Sequence, residues 1–278
     1  MHTLLPFFAV VRVSGDDRHD FLHKQLSNDI NNLTAQQACY ATYNSPKGRV
    51  IANMVVYNNG QELDLILAAD LAETVVKRLK MFVLRAHVQL SILPDWGVSG
   101  SLPENTAILY AENPTLSFPA HDDTIQLPHG GCLKIAPLTN LPSYNEVAEA
   151  TFKRHEILCG YPWISAKTSE TCVAQMLNQH TIGGVHFRKG CYPGQEIIAR
   201  AQYRGQVKRG LAIAENTSTQ QVGAEVHDES GAEVGIVINV SGSLNLLVIK
   251  HSAAYNTLSD LSGSPFTLHN PFFSLESE

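Results

Sequence analysis

The order of strand-like and helix-like patterns in the first third of the chain restricts the fold most strongly. Apolar and polar residues alternate over 8–13, which predicts a strand, and apolar residues at helical spacing follow from Phe21 to Ile30. Asn58-Asn59-Gly60 is typical of a hairpin turn. The other predicted elements are strands over 38–43, 49–57, 62–67 and 88–93 and a helix over 70–82. This order predicts helices layered on a largely antiparallel sheet.

The middle of the chain has a different pattern. Residues 94–145 are rich in Pro, Gly, Asn and Asp, and short strands are predicted there over 106–111 and 132–136. A helix is predicted over 145–159, closed by Gly160. After Arg209, short β-prone runs separated by Gly, Ser and Asn predict a small barrel or sandwich.

The composition excludes several classes of protein. The chain has 278 residues, 44% hydrophobic and 17% charged, so it is globular and long enough for more than one domain. No run approaches the roughly 18 uncharged apolar residues that a membrane span needs, and the first residues lack the features of a signal peptide. The five cysteines include no Cys-x-x-Cys pair, which favours a reducing, cytoplasmic location without disulfides.

The stretch from Lys189 to Glu196 carries the strongest chemical signal. It reads Lys-Gly-Cys-Tyr-Pro-Gly-Gln-Glu, so that Cys191 lies in a glycine-rich turn with a basic neighbour. Glycines allow sharp turns and close approach, and a nearby cation favours the reactive thiolate form of a cysteine. From these residues alone, the stretch is either a reactive thiol site or a tight surface turn around a structural cysteine.

The charge distribution is uneven. The formal net charge is −6, which argues mildly against broad nucleic-acid binding. Between residues 188 and 209, however, six basic side chains accompany a single acid, Glu196. This stretch is either a solvated basic face or an anion site beside Cys191, suited to carboxylates or to RNA phosphates.

Motifs for several other chemistries are absent. The cysteines lack zinc-like spacing, and His180 and His186 lack a convincing set of partners, so no resident metal is expected. The chain contains no Gly-x-Ser-x-Gly elbow, no Gly-x-Gly-x-x-Gly and no P-loop. A serine hydrolase of that type and these nucleotide-binding folds are therefore disfavoured.

The octapeptide resembles the signature of the YgfZ-type folate-binding proteins, which are relatives of the T-protein (aminomethyltransferase) of the glycine cleavage system. Further blocks that resemble the family lie over 25–29, 45–49, 183–188, 199–200 and 203–209. The likeness covers most of residues 1–210 in scattered blocks. It implies an α+β fold with two ferredoxin-like units over 1–208, which carry the signature, followed by a C-terminal β-barrel over 209–278.

The resemblance also implies a set of site residues. Phe8 and Phe152 match two family aromatics that flank the folate ring, and Asp29 matches an acid that acts on the folate. Asn178 lies in the lead-in to the signature and is expected to contact the cofactor. Cys191 is expected to be the functional thiol, at the mouth of the folate cavity. The rest of the signature loop comprises Lys189, Gly190, Tyr192, Gly194, Gln195, Glu196 and Arg200.

Structural roles remain open for these residues. Both phenylalanines also suit an ordinary core, and Asp29 also suits the end of a helix. Lys189 could form a salt bridge with Glu196, and Arg200 lies four residues after Glu196, the spacing of a helical ion pair.

The function implied by the resemblance is folate-dependent support of the assembly or repair of iron–sulfur enzymes, including enzymes that modify tRNA. Tetrahydrofolate or a derivative is the expected cofactor, and iron–sulfur client enzymes are the expected partners. Two alternatives remain open: an aminomethyltransferase of the glycine cleavage system, and a non-enzymatic adaptor that binds RNA or a client protein through residues 188–209. Whether the protein catalyses a reaction is left open.

Overall fold

The computed structural model describes residues 2–111, 113–205 and 207–273. The helices are α1 (Arg18–Gln25), α2 (Ala69–Lys80), α3 (Glu146–Cys159) and α4 (Gln195–Tyr203), and short 3-10 helices cover Leu138–Asn140, Ala174–Leu177 and His251–Tyr255. The first ten strands are β1 (His2–Leu4), β2 (Phe8–Ser14), β3 (Gln37–Asn44), β4 (Val50–Asn58), β5 (Leu63–Ala68), β6 (Gln89–Ile92), β7 (Trp96–Ser101), β8 (Phe118–His121), β9 (Thr124–Gln126) and β10 (Cys132–Pro137). The last six are β11 (Arg209–Asn216), β12 (Glu225–His227), β13 (Glu233–Ser241), β14 (Leu244–Lys250), β15 (Leu258–Ser259) and β16 (Pro265–Pro271).

Strands β1 to β10 form one antiparallel sheet, in the order β1-β7-β10-β9-β8-β3-β4-β5-β2-β6. Strands β2 to β6 form one side of this sheet, and β1 together with β7 to β10 forms the other. The two sides join where Gln37 and Ala38 of β3 pair with Pro119 and Phe118 of β8. The predicted antiparallel sheet with layered helices is therefore confirmed.

Both faces of the sheet are buried. Along β2, Val11 and Val13 belong to one hydrophobic cluster, whereas Phe8 and Val10 belong to another. Because successive side chains of a strand point to opposite faces, the two clusters lie on opposite sides of the sheet. Helices α1 and α2 contribute to the first cluster, and α3 contributes Phe152 and Cys159 to the second.

Strands β11 to β16 close into a six-stranded barrel, in the order β11-β14-β13-β12-β15-β16. The predicted C-terminal barrel, and the α+β fold that precedes it, are thus confirmed. The exact division of the chain at 208/209 remains a prediction. The barrel is bonded to the α+β part: the amide of Asn239 accepts a hydrogen bond from the backbone N–H of Trp163 and donates one to its carbonyl, both at 2.9 Å.

Several element predictions were wrong in detail. Residues 106–111 form no strand. The side chains of Leu109 and Tyr110 in this segment are exposed to solvent and are not packed on the sheet. Helix α2 ends at Lys80, and Phe82, which was expected on its apolar face, is 49% exposed. Strands β7, β8 and β9 were missed because they are short and lie in a segment rich in turn residues.

Candidate functional site

Cys191 is the exposed cysteine of the chain. All five cysteines are free: Cys39, Cys159 and Cys172 are buried, Cys132 is partly exposed, and Cys191 is exposed. Burial raises the pKa of the Cys39 thiol to about 12 and that of Cys159 to about 11, which keeps both in the unreactive thiol form. Solvent exposure therefore distinguishes Cys191 from the other four thiols.

Lys189 fixes the start of the Cys191 loop. Its ammonium group donates hydrogen bonds to the backbone carbonyls of His23 and Leu26, the latter at 2.6 Å, at the end of α1. It also lies 4.8 Å from the centre of the Tyr192 ring. A cation suits the carbonyl end of a helix, so Lys189 ties the loop to α1. Burial lowers the pKa of Lys189 to about 8, and nearby Asp29 opposes this shift.

Tyr192 and Gly194 fix the other end of the loop. Tyr192 is buried in the first hydrophobic cluster, directly after the exposed cysteine. Gly194 has a φ of 80° and lies directly before α4, as its N-cap. A Cβ atom there would lie 2.6 Å from the carbonyl oxygen of Ser45 and 2.8 Å from the Cα of Gly48, so the loop packs backbone to backbone on the 45–48 turn. Gly190 has no such restriction, since its nearest contact would be His23 at 3.5 Å.

Gln195, Glu196 and Arg200 lie on α4. The N–H of Gln195 bonds to the carbonyl of Tyr192 at 3.2 Å, which continues the loop into the helix. Glu196 and Arg200 are exposed. Among the described residues, no ion pair joins Glu196 to either Lys189 or Arg200. The two ion pairs that the spacing of these charges suggested are therefore not formed.

Asp29 lies close to the Cys191 loop. Its carboxylate is 3.1 Å from Nδ1 of His23 and accepts a hydrogen bond from the side-chain amide of Asn32 at 2.6 Å. Burial alone would raise the pKa of Asp29, but the hydrogen bonds from Asn32 and the neighbouring His23 outweigh it and hold this pKa below its ordinary value. Asp29 is thus an ionised acid beside the buried ammonium of Lys189.

The segment before Asp29 supports the lead-in to the signature. Ser27 donates to the carbonyl of Gly184 at 2.5 Å, and its own carbonyl accepts the N–H of His186 at 3.0 Å. The buried Asn28 amide donates to the carbonyl of Gly183 at 2.9 Å. Residues 27–28 and 183–186, which are more than 150 positions apart in sequence, are therefore joined by hydrogen bonds just ahead of the Cys191 loop in the chain.

Phe8 and Phe152 meet in a separate cavity of about 100 Å³, here called the aromatic cavity. Its other lining residues come from the N-terminal segment, α3, the segment after α3 and the barrel: Leu5, Phe7, Glu149, Lys153, Glu156, Ile157, Tyr161, Trp163, Val222, Asn239 and Val240. Phe8 packs edge-on against Trp163, with ring centres 4.7 Å apart. Cys191 does not line this cavity, and the expectation that it lies at the mouth receives no support from the structure.

Buried polar groups stand beside the aromatic cavity. Glu156 is 4% exposed, and its Oε2 accepts a hydrogen bond from Nε1 of Trp163 at 2.9 Å. Its Oε1 lies 3.8 Å from Nε2 of His129, whose ring stacks on Tyr161 with centres 3.8 Å apart. Burial raises the pKa of Glu156 to about 8 and lowers that of His129 to about 3, so both side chains are neutral near pH 7.

Asn178 lies neither at the Cys191 loop nor in the aromatic cavity. It adopts a left-handed conformation with a φ of 53° at the end of a 3-10 helix. It lines a different cavity, of about 310 Å³, together with Arg209 and His251. The structure thus brings Asp29 to the Cys191 loop and Phe8 to Phe152, but it does not unite all the expected cofactor residues in one cavity.

The polar part of the aromatic cavity is not among the site residues expected from the sequence. Glu156 and His129 are far apart in sequence, and neither lies in a recognisable motif. A signal was present for Glu156, because on the predicted helix over 145–159 it shares a face with Phe152, four residues before it, and Cys159, three residues after it. A charged residue on such a face is expected to have a specific partner.

The basic stretch is mostly exposed. Arg188, Arg200, Arg204 and Lys208 are solvent-exposed around the loop and α4, whereas Lys189 is 9% exposed and bonded to backbone. Within the described residues, no group of three or more His, Cys, Asp or Glu side chains converges to hold a metal ion. None of the helices in the described part of the chain is long and apolar enough to span a membrane.

Comparisons with known proteins point to the same family as the resemblance of the octapeptide. A tRNA-modifying protein YgfZ of Blochmanniella pennsylvanica is 28% identical, over 73% of this chain and 68% of that protein. A protein of the same name from Yersinia pseudotuberculosis is also 28% identical, over 73% of this chain and 67% of its own length. The resemblance to the YgfZ-type proteins is confirmed. No family model matches the chain.

A solved structure supports the fold. The glycine cleavage system aminomethyltransferase T from Bartonella henselae superposes with a TM-score of 0.68, covering 97% of this chain and 84% of that chain. The sequence identity is 13%, so this likeness concerns the fold alone. YgfZ-like sequence and T-protein-like fold therefore occur together in this chain.

Proposed function

We propose that this protein is a cytoplasmic, YgfZ-type folate-binding protein that supports the assembly or repair of iron–sulfur enzymes, including tRNA-modifying ones. The similarity to proteins named as tRNA-modifying YgfZ supports the link to tRNA modification. The observation that carries the proposal is the exposed Cys191 on a loop held by buried Lys189 and Tyr192. A fixed, accessible thiol can act as a nucleophile or as a transient metal–sulfur ligand.

The residues next to Cys191 hold its thiol in place, and in this proposal they have no chemical role of their own. Lys189 uses its hydrogen bonds on the end of α1, and Gly194 seats the loop on the 45–48 turn. Three exposed side chains near the loop and α4, Arg188, Arg200 and Arg204, give the surface around Cys191 positive charge. Such a surface favours an acidic client protein or an RNA phosphate near the thiol.

The aromatic cavity suits the ring of tetrahydrofolate or a derivative. Phe8, Phe152 and Trp163 provide aromatic surfaces, and Glu156 provides a polar group inside an otherwise apolar lining. Lys153 lies at the partly exposed rim, 2.9 Å from Glu149, where it could pair with the carboxylates of a folate tail. Tetrahydrofolate would supply one-carbon transfer chemistry; the residues of this chain bind and orient the ring.

The folate part is tested by calorimetric titration with tetrahydrofolate of the wild type, Phe8→Leu and Phe118→Leu. Leucine keeps apolar bulk but removes the ring, so Phe8→Leu should weaken binding by roughly fivefold to tenfold. Phe118 is buried in the same hydrophobic cluster but does not line the cavity, so Phe118→Leu should bind like the wild type. Absence of saturable binding by the wild type would refute the folate part.

The thiol part is tested by complementation of a bacterial strain that lacks its own YgfZ. Cys191→Ser should lose function, because a hydroxyl is a much weaker nucleophile and metal ligand than a thiolate. Cys132→Ser makes the same change at a partly exposed cysteine elsewhere and should complement. Full complementation by Cys191→Ser would remove the thiol from the proposal and leave the cavity standing.

An aminomethyltransferase of the glycine cleavage system remains the alternative that the fold supports. Transfer of an aminomethyl group from a lipoylated carrier protein to tetrahydrofolate by the purified protein would favour it. Salt-sensitive RNA binding that does not respond to folate would instead favour the adaptor alternative.

A further inference from the structure

The cavity that Asn178 lines lies between α4, the barrel and the segment that leads into the signature. Its volume is about 310 Å³, and cavities that hold one small ligand begin at roughly 300 Å³. Among the described residues, none lines both this cavity and the aromatic cavity. It is called the basic cavity below, and the lining residues that matter here are Asn178, Arg209, Gly210, His251, Phe272 and Phe273.

The basic cavity holds a cation and no acid. Among the described residues that line it, none is Asp or Glu. Within the described residues the Arg209 guanidinium makes no hydrogen bond, and its ion-pair partner Glu233 is half exposed and 3.8 Å away. Burial lowers the pKa of His180 and of His251, so both rings are neutral near pH 7 and Arg209 carries the charge. A guanidinium with free donors suits a phosphate group.

Asn178 provides an unused amide in the same cavity. Its side chain is held there by a left-handed backbone, with a φ of 53°, after the 3-10 helix Ala174–Leu177. The residue is 7% exposed. Within the described residues its amide makes no hydrogen bond, and neither of its polar atoms is closed off from solvent. Because buried amides are nearly always hydrogen-bonded, this one is a position for a ligand. An amide offers a donor beside an acceptor, the pattern that pairs with the edge of adenine.

Aromatic rings supply flat surfaces in the basic cavity. Phe272 and Phe273 both line it, and Phe273 stacks on His251 with ring centres 4.0 Å apart and planes 15° apart. Gly210 makes room for this pair, because a Cβ atom there would lie 2.5 Å from the Phe273 ring and 3.2 Å from Nε2 of His251. Aromatic rings that face a binding groove stack nucleobases.

We propose that the basic cavity binds a nucleoside monophosphate, either free or as one unit of a single-stranded RNA. The phosphate lies on Arg209, the base stacks on the phenylalanine rings, and Asn178 contacts the edge of the base. This is a binding site, and no bond is made or broken in it. The inference depends neither on folate binding nor on Cys191, since it uses a different cavity.

Both sources of the nucleotide fit the surroundings. Gly205 and Val207 line the cavity, and the exposed cations Arg204 and Lys208 lie directly beside them in the chain. An RNA strand that leaves the cavity would therefore meet further positive charge, which contributes to affinity at low salt. A free nucleotide needs only the residues inside the cavity.

The test is calorimetric titration with adenosine monophosphate of the wild type, Arg209→Gln, Asn178→Gly and Arg85→Gln. The wild type should bind saturably, and Arg209→Gln should bind at least about tenfold more weakly because the phosphate loses its cation. Asn178→Gly removes the amide and suits a left-handed backbone, and it should weaken binding about threefold to tenfold. Arg85→Gln makes the same change at an exposed arginine outside the cavity and should bind like the wild type.

A ligand change gives the same information without relying on the folding of a variant. Adenosine, which lacks the phosphate, should bind the wild type at least about tenfold more weakly than adenosine monophosphate. Equal affinity for the two compounds, or equal binding of the monophosphate by folded Arg209→Gln, would overturn the role of Arg209. Absence of saturable monophosphate binding by the wild type would overturn the proposal as a whole.

Two further titrations decide the source of the nucleotide and the independence of the cavity. Binding of a single-stranded oligoadenylate that is at least about tenfold tighter, and that weakens more steeply with salt, would identify RNA as the ligand. Equal affinity per molecule would identify the free nucleotide. Saturating tetrahydrofolate should leave the affinity for adenosine monophosphate unchanged. Displacement of the nucleotide by tetrahydrofolate would overturn the assignment of a separate nucleotide site.

Discussion

At the scale of single residues, buried Glu156 should give the protein a measurable pH dependence. Its pKa is raised by burial to about 8 in the folded chain, against 4.5 for an ordinary glutamic acid. Between these values the folded state binds more protons than the unfolded state, so the stability contributed by the neutral carboxyl is full below pH 4.5 and is lost as the pH rises towards 8. His129 acts in the opposite sense, since its lowered pKa makes stability rise between about pH 3 and its ordinary 6.5.

The comparison of wild type with Glu156→Gln isolates the carboxyl, because His129 is present in both. Urea unfolding at pH 5, 6.5 and 8 should show the stability of the wild type relative to the variant falling by a few kcal/mol, on the order expected for a shift of this size. A difference that stays constant across this range would show that Glu156 is not held neutral in the fold.

At the scale of elements, the turn from the Cys191 loop into α4 depends on Gly194. Alanine there would adopt a left-handed conformation and place its Cβ 2.6 Å from the carbonyl oxygen of Ser45. Gly194→Ala should therefore destabilise the protein by about 1–3 kcal/mol, measured by urea unfolding. Gly190→Ala, on the other side of Cys191, meets only an ordinary contact and should change stability by less than about 0.5 kcal/mol. Equal stabilities of the two variants would contradict this account of the loop.

At the scale of the whole molecule, the two candidate sites lie in different surroundings. The Cys191 loop packs with α1 and the 45–48 turn, and Tyr192 belongs to the cluster on one face of the sheet. Phe8 and Phe152 belong to the cluster on the other face. The barrel takes part in the aromatic cavity through Val222, Asn239 and Val240, so this cavity depends on how the barrel and the α+β part dock.

The local elements and the thiol motif could be predicted from the order of residues along the chain. Most strands and helices of residues 8–92 followed from the alternation and spacing of apolar residues, because those periods are geometric properties of single elements. The first helix is an exception, since its apolar spacing runs on to Ile30 but α1 ends at Gln25. The short strands β7, β8 and β9 were not predicted, since their partners are distant in sequence and their own patterns are weak. Cys191 could be found from its eight-residue context, and Asp29 from its block.

The contacts of each of these residues depend on how distant segments of the chain pack together. This packing turned Lys189 towards the end of α1 instead of Glu196, and it placed Asn178 in a cavity apart from Phe8 and Phe152. It also brought Glu156 to within 3.8 Å of His129. Burial, and with it the charge state of a carboxyl group, depends on every chain segment that excludes water from it, so no local pattern could have predicted the polar wall of the aromatic cavity.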